Sequence, residues 1–425
     1  MLFFIGFFGT ALLIVGLMNW YIWRRLVRDT TRPGRRRRIG TVILLALSLQ
    51  MVASVVGTRV LAHSYERIFA WTGYVWLALL FYLLVFLLAL ELPRAAAGQW
   101  LRRVERRYRR AAAAAAAAVP AGALVVTGSV DVSPPVIDAV PPPATGHRMP
   151  YQTRRLFLAR SAAIVGGLGA ATVTGNGIHT ALGPPRRNRV TIPLAKLPRR
   201  MDGLRIALVA DIHLGPILGK AHCQRVVDIV NDMDADLVAV VGDLVDGSVA
   251  ELGPHAEPLR GLRSRRGSFF VTGNHEYFSG YQEWVEEIDS FGVKVLRNQR
   301  VEIDGLDLAG VNDLTGGAYG DGPDLDRALG GRDSSRPVVL LAHQPRQAHE
   351  AARHNVDLLL AGHTHGGQLW PFHYVVRATQ QPLLAGLGKV DGLPVYVTRG
   401  AGFWGPPVRV GAPPDVTLVE LRATQ

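Results

Sequence analysis

Three stretches near the start of the chain are apolar at nearly every position. They are residues 2–23, 39–58 and 68–90, and each is long enough to cross the hydrocarbon core of a bilayer. A fourth, Ser161 to Gly183, is richer in Gly, Ala and Thr and carries Asn176 and His179. Runs this long with arginine at their ends read as membrane spans rather than as buried core helices. From Arg189 onward the pattern changes. Short apolar runs now end in polar clusters: LRIALVADIH, DLVAVVGD, SFFVTGNHE, LDLAGVND, PVVLLAHQP, DLLLAGHTHGG and PVYVTRG. Helix-like stretches lie between several of them, including Ala221 to Asp232 and Tyr281 to Phe291. Strands alternating with helices predict an α/β domain with a buried sheet.

Between these regions, residues 111–153 form an Ala/Pro-rich linker. Its alanine run can extend the basic helix before it, and its prolines cannot continue that helix. The chain therefore divides into a three-span region at 1–110, the linker at 111–153, a fourth span with its basic flank at 154–185, and the α/β domain at 186–425.

Charge sharpens this division. Residues 1–189 hold 24 Arg, no Lys and 6 acidic residues, a net of +18, whereas residues 190–425 carry a net of −5. The positive charge lies between apolar spans and not on the domain with the chemistry, so membrane lipids are the expected partner and nucleic acid is not. Both basic loops, Arg24 to Arg38 and Arg94 to Arg110, belong on the cytoplasmic side by the positive-inside rule. Arg154, Arg155 and Arg160 precede the fourth span, which then runs outward and delivers the α/β domain outside the cytoplasm. The expected location is the cell membrane, multi-pass. One cysteine, Cys223, excludes an internal disulfide framework and a thiolate zinc or iron–sulfur site; it reads as core.

Five polar clusters fall where strands end: Asp211-Ile212-His213, Gly242-Asp243-Leu244-Val245-Asp246, Gly273-Asn274-His275-Glu276, His343, and Gly362-His363-Thr364-His365. Ligands of open α/β sheets gather outside the carboxyl ends of strands. Asp, Asn and His offer oxygen and imidazole donors suited to Mn, Fe, Zn or Co. In Asp-x-His and His-x-His, alternate side chains of an extended segment share one side. The two oxygens of Asp243 can bridge two cations, and cations roughly 3.5–4 Å apart can clamp a phosphate and activate water for in-line attack. Any one cluster alone would read as a turn or a helix cap.

In order and spacing the clusters resemble the calcineurin-like metallophosphoesterases, whose pattern is D-x-H, G-D-x-x-D, G-N-H-[ED], H, G-H-x-H. The later text GGQLWPFHY and YVTRGAGFWGPP looks like the membrane-associated bacterial branch of that family. The resemblance covers about residues 190–422 and not the first three spans. It implies a four-layer αββα sandwich of two mixed sheets following the membrane helices. It also implies two divalent metal ions: Asp211, His213 and His365 on one, Asn274, His343 and His363 on the other, Asp243 between them. His275 would be the catalytic acid rather than a ligand, and Asp246 would orient a ligand by hydrogen bonding. The implied reaction is hydrolysis of a phosphomonoester or phosphodiester by a hydroxide held at the metals, on a phosphorylated small molecule or a lipid- or envelope-linked substrate. A nucleotide-sugar or lipid pyrophosphohydrolase is the alternative within hydrolases, and a non-catalytic metal-binding sensor the alternative outside them.

Other residues read as structural. His222, His255, His349 and His354 lie in helix-like or loop stretches, and Asn312-Asp313 is most simply a turn. His373, in WPFHY, is a candidate to line the site. Thr153 to Ala159 resembles a twin-arginine export motif, with Arg154 and Arg155 paired ahead of Phe157 and Leu158. It implies the twin-arginine export machinery as a partner, and an uncleaved anchor, because no clear A-x-A site follows.

Overall fold

The computed structural model describes residues 13–60, 63–117, 151–379 and 381–424. Helices dominate as far as residue 182: α1 (Arg35–Val60), α2 (His63–Ala89), α3 (Glu91–Ala117) and α4 (Tyr151–Leu182). The predicted span 2–23 begins outside the described residues; from residue 13 it is helical, ending in a π-helical turn at Trp23–Arg28. Leu90 alone separates α2 from α3, and the bonds Leu90 N→Phe86 O and Arg94 N→Leu90 O carry the helix across it. The basic segment and the alanines thus extend one long helix. The proline-rich part of the linker lies outside the described residues.

The chain clusters into two units, one of Met1–Ser48 with Leu80–Ala171, the other of Leu49–Leu79 with Thr172–Gln425. In the first, the few acidic residues answer the arginines. Arg25 Nη2 donates to Glu91 at 2.8 Å and Arg94 Nη2 to Asp29 at 3.0 Å, while Tyr21 Oη donates to Glu91 at 2.7 Å. Such pairing is needed where carboxylates approach an apolar medium.

The second unit contains two six-stranded mixed sheets. The strands are β1 (Arg186–Leu194), β2 (Leu204–Val209), β3 (Leu237–Val241), β4 (Ser268–Val271), β5 (Val293–Val295), β6 (Gln299–Ile303), β7 (Leu306–Gly310), β8 (Val338–Leu341), β9 (Leu358–Ala361), β10 (Gly386–Val390), β11 (Leu393–Val397) and β12 (Asp415–Ala423). The first sheet runs β1-β12-β2-β3-β4-β5 and the second β10-β11-β9-β8-β7-β6. In the first, β2 to β5 are parallel and β12 lies antiparallel to β2; in the second, β7, β8, β9 and β11 are parallel and both edges are antiparallel.

Side-chain alternation sorts each strand between two cores. Ile206, Leu208, Val339, Leu341, Leu358 and Leu360 fill the space between the sheets. Ala207, Val209, Val238 and Val240 turn to the other face of the first sheet, against helix α5 (Lys220–Asn231) and Trp284. Leu340, Leu359 and Val395 likewise meet Ala348 and Ala351 beyond the second sheet. The result is four layers, helix–sheet–sheet–helix. The continuous apolar runs announce the central parallel strands, which are buried on both faces. β1, β5, β6, β10 and β12 are not among those runs. In β12 polar Thr417, Glu420 and Arg422 interrupt the apolar positions, and only pairing between β1 and β2 makes it central.

Candidate metal centre

Each polar cluster sits just past the carboxyl end of a parallel strand. Asp211 and His213 follow β2, Asp243 follows β3, and Asn274 opens α6 (Asn274–Phe278) after β4. His343 follows β8, and His363 and His365 follow β9. Residues from the two sheets meet in two groups. Asp211, His213 and His365 form one, with donor atoms within 4.8 Å of one another; Asp243, His343 and His363 form the other on the same criterion. His275 joins His213 and Asp243 in a third such grouping at the seam.

The backbone is bent to achieve this. Asp211, His213, Asp243, His363 and His365 all have positive φ, between 51° and 71°. Each costs about 1–3 kcal/mol for a residue with a side chain and persists only where the surroundings over-determine it. Gly242, with φ 74°, is required: a Cβ there would lie 2.6 Å from the Gly273 nitrogen and 2.7 Å from His343 Nδ1.

Hydrogen bonds aim the donors. His343 Nδ1 lies 2.9 Å from Val241 O, which leaves Nε2 turned inward, 3.0 Å from Asp243 Oδ2. The backbone N–H of His363 donates to both Asp211 oxygens at 3.0 Å, and that of His275 to Asp243 Oδ1 at 2.9 Å. Asp246 stands between two histidines, 3.2 Å from His213 Nδ1 and 2.5 Å from His275 Nδ1. It holds both rings as a carboxylate behind an imidazole ligand does.

The donor set fits cations. His363 Nδ1 and Asn274 Oδ1 are buried and make no hydrogen bond, while His343 Nε2 meets the Asp243 carboxylate. Orphaned buried donors of this kind are costly unless a ligand satisfies them. In the other group His213 Nε2 faces His365 Nε2 at 3.1 Å, with Asp211 Oδ1 3.6 Å from the latter, so three donors converge on one point.

Electrostatics follow from the crowding. Burial alone would lower the pKa of His275, but the carboxylates of Asp243 and Asp246 outweigh it and raise it to about 9. Burial lowers His363 to about 3, and the nearby His343 adds to the effect. Burial raises Asp211 to about 6 against the pull of His343.

Two further residues support the site. Glu276 is fully buried and accepts from the backbone N–H groups of Asp243, Leu244 and Gly273 at 3.0, 2.7 and 2.6 Å, tying the β3 and β4 loops together. Its place in the G-N-H-E run was the available signal. Arg409, also buried, donates to the His365 carbonyl at 2.7 Å and braces that loop from behind. One arginine among many carries no sequence signal for this. Asp313 is a turn residue, accepting from Thr315 N, and both its carboxylate oxygens also accept from Nε2 of Gln344, the neighbour of His343, at 3.0 Å. His373 packs beneath Gly367, just beyond His365. His349 and His354 bond Asp391 and Asp326 at the surface, and His222 and His255 sit beside Gly219, His222 on α5.

A family model for calcineurin-like phosphoesterases matches residues 204–367. The chain is 39% identical over 260 residues to a transmembrane protein with a metallophosphoesterase domain from Danio rerio, a match covering 58% of this chain and 59% of that protein. It is 38% identical over 248 residues to a metallophosphoesterase of Helicobacter pylori strain J99, covering 58% and 66%. A metallophosphoesterase of Aquifex aeolicus is 34% identical over 241 residues, 56% of this chain and 92% of its own length. The chain thus matches about three fifths to two thirds of the length of the first two relatives.

Proposed function

The chain belongs to the calcineurin-like metallophosphoesterase family, and on that premise we propose that it is a membrane-anchored phosphoester hydrolase with two metal ions. The observation that carries this reading is the pair of donor groups with Asp243 reaching toward both, beside which His363 Nδ1 and Asn274 Oδ1 lie buried without a partner. Asp211, His213 and His365 would hold one cation, Asn274, His343 and His363 the other, and Asp243 would be shared. When bound, two divalent cations neutralise phosphoryl oxygens and provide a nucleophilic water at neutral pH.

The chain's own residues do the rest. Asp246 fixes the His213 and His275 rings together, so the proton donor is held in register with a metal ligand. The Nε2 of His275 points toward Asp243, 3.9 Å from its Oδ2, where a leaving oxygen can take its proton. Glu276 keeps the backbone of the β3 loop from shifting as charge builds up.

The described helices include three long and apolar enough to cross a membrane, within Arg35–Ser54, Glu66–Ala114 and Thr153–Leu182. With both arginine loops inside, the α/β domain faces outward, and Arg154 and Arg155 serve as a twin-arginine signal. A site on an anchored domain suits a lipid- or envelope-linked phosphoester.

Purified full-length protein, loaded in turn with Mn, Fe, Zn and Co, tests the reading against phosphomonoesters, phosphodiesters and pyrophosphates. Hydrolysis of a mono- or diester is the expected result. Turnover confined to pyrophosphates would move the reading to a pyrophosphohydrolase, and fully metallated protein inert toward every class would leave a sensor.

A further inference from the structure

We propose that an aromatic rim beside the metal centre is an interfacial surface that seats the centre in the headgroup region of a bilayer, so that its phosphoester is presented by a lipid. This rests on the reading of α4 as a membrane span. In the α/β domain large apolar side chains are mostly buried, yet Trp370, Phe372, Tyr374 and Trp404 are 43–62% exposed. Trp404 adjoins the site: its ring centroid is 5.8 Å from that of His275, and exposed Phe278 flanks the same ring at 5.7 Å.

The rim is fastened to the end of α4. Gln368 bonds the Trp404 backbone in both directions, at 3.0 and 3.2 Å. Val410 N donates to Gln368 O, and Trp370 N to Val410 O. That strip meets the helix directly, because Arg409 N donates to Gly177 O at 2.9 Å. Gly177 has to be glycine for this approach, since a Cβ would lie 2.5 Å from Val408 Cγ1. One turn further on, Ala181 is buried with Leu218 and Phe403, the neighbour of Trp404.

Helix depth then sets rim depth. The last charge in α4 is Arg160. A hydrocarbon core takes about 20 residues of helix, which ends near position 180. Gly177 and Ala181 therefore lie close to the headgroup boundary, and so does the strip bonded to them. Trp and Tyr prefer that layer, where the ring is in apolar surroundings and its polar atom stays wet. An exposed aromatic patch of this kind otherwise carries the cost of hydrating apolar surface.

Cys223, the sole cysteine, is buried, so a cysteine introduced at the rim can be labelled alone. Full-length Tyr374→Cys carrying a polarity-sensitive fluorophore, placed in phosphatidylcholine nanodiscs, should emit at shorter wavelength than the free cysteine adduct in buffer. Lipids spin-labelled near the headgroup should quench it. Trp370→Cys gives the same reading if Tyr374→Cys fails to accumulate. Emission at the buffer wavelength without quenching, in a variant that retains wild-type metal content, overturns the proposal. The measurement needs no turnover, so that result leaves the hydrolase reading intact, and an inert enzyme with a quenched label would sink the hydrolase reading alone.

Discussion

Leu49 and Leu168, in α1 and α4, turn outward and are 70% and 65% exposed, whereas Leu208 and Leu358 are fully buried between the two sheets. Charge is distributed the opposite way. The helical region places its arginines at the ends of apolar runs, while the α/β domain buries Asp211, Asp243, Glu276, His343 and Arg409 around one point. The same residue types are thus placed in opposite ways. In the helices apolar surface is the outer face and arginine lies at its ends; in the domain apolar surface is the core and a cluster of buried charge marks the candidate site. Buried charge is tolerated only where partners or ligands compensate it, so it concentrates where the chemistry is.

Substitutions that remove the buried charge should have the largest effects. Asp243→Asn takes away the carboxylate proposed to be shared by two cations; metal analysis should show both cations reduced, and hydrolysis should fall close to background. His275→Ala should lower kcat on the order of 10²–10⁴-fold, the usual worth of a positioned proton donor, with metal content nearly unchanged. Loss of metal as complete as in Asp243→Asn would make His275 a ligand.

The contrast in apolar surface is tested by a pair of leucines. Leu208→Ala leaves a cavity between the sheets and should cost about 2–5 kcal/mol, read as a drop in the melting temperature of the detergent-solubilised chain. Leu168→Ala, on an exposed helix face, should leave that temperature close to wild type. Equal losses at both positions would mean that the outward face of α4 is covered by protein rather than lipid.

A buried histidine outside the site gives the pH dependence. Burial, helped by Arg225, lowers the pKa of His222 to about 4, against an ordinary value of 6.5. The folded state therefore resists a proton that the unfolded chain accepts. The stability from keeping His222 neutral is present above pH 6.5 and is lost as pH falls toward 4, by about 3 kcal/mol in all. Comparing wild type with His222→Gln at pH 7 and pH 5 isolates it: the wild type should lose more stability on acidification.

Arg154→Lys with Arg155→Lys should have the smallest effect on the enzyme itself, leaving turnover and metal content unchanged. Charge at the membrane is conserved, but lysine lacks the planar guanidinium that a receptor for paired arginines would read. The expected change is in delivery: the α/β domain becomes protected from protease added to spheroplasts, while the wild-type domain is cut. Equal cleavage of both would make the pair an ordinary positive-inside flank.

The candidate donor residues were legible as five polar clusters because each lies where a buried strand surfaces, and the strand before it is apolar on both faces. Their number and order carried the reading. The supporting residues were not legible to the same degree. Glu276 could be found within its motif, yet its task of binding three backbone N–H groups depends on two loops meeting in space. The aromatic residues of the rim could as well have been core: nothing in WPFHY distinguishes an exposed ring from a buried one.

By itself the amino-acid sequence determined the long apolar helices, the asymmetry of arginine, the alternation of strand and helix, and the set of donor types. These depend on local composition and period, which a chain carries at every point. Tertiary structure alone decided which donors share a group, because Asp211 and His365 lie on different sheets and 154 positions apart. It also decided that β12 lies between β1 and β2, that Arg409 stands behind His365, and that Gly177 lets the end of α4 touch the strip below Trp370. Each is a contact between distant segments, formed only when burial of the cores and pairing of the strands outweigh the entropy of closing the intervening chain.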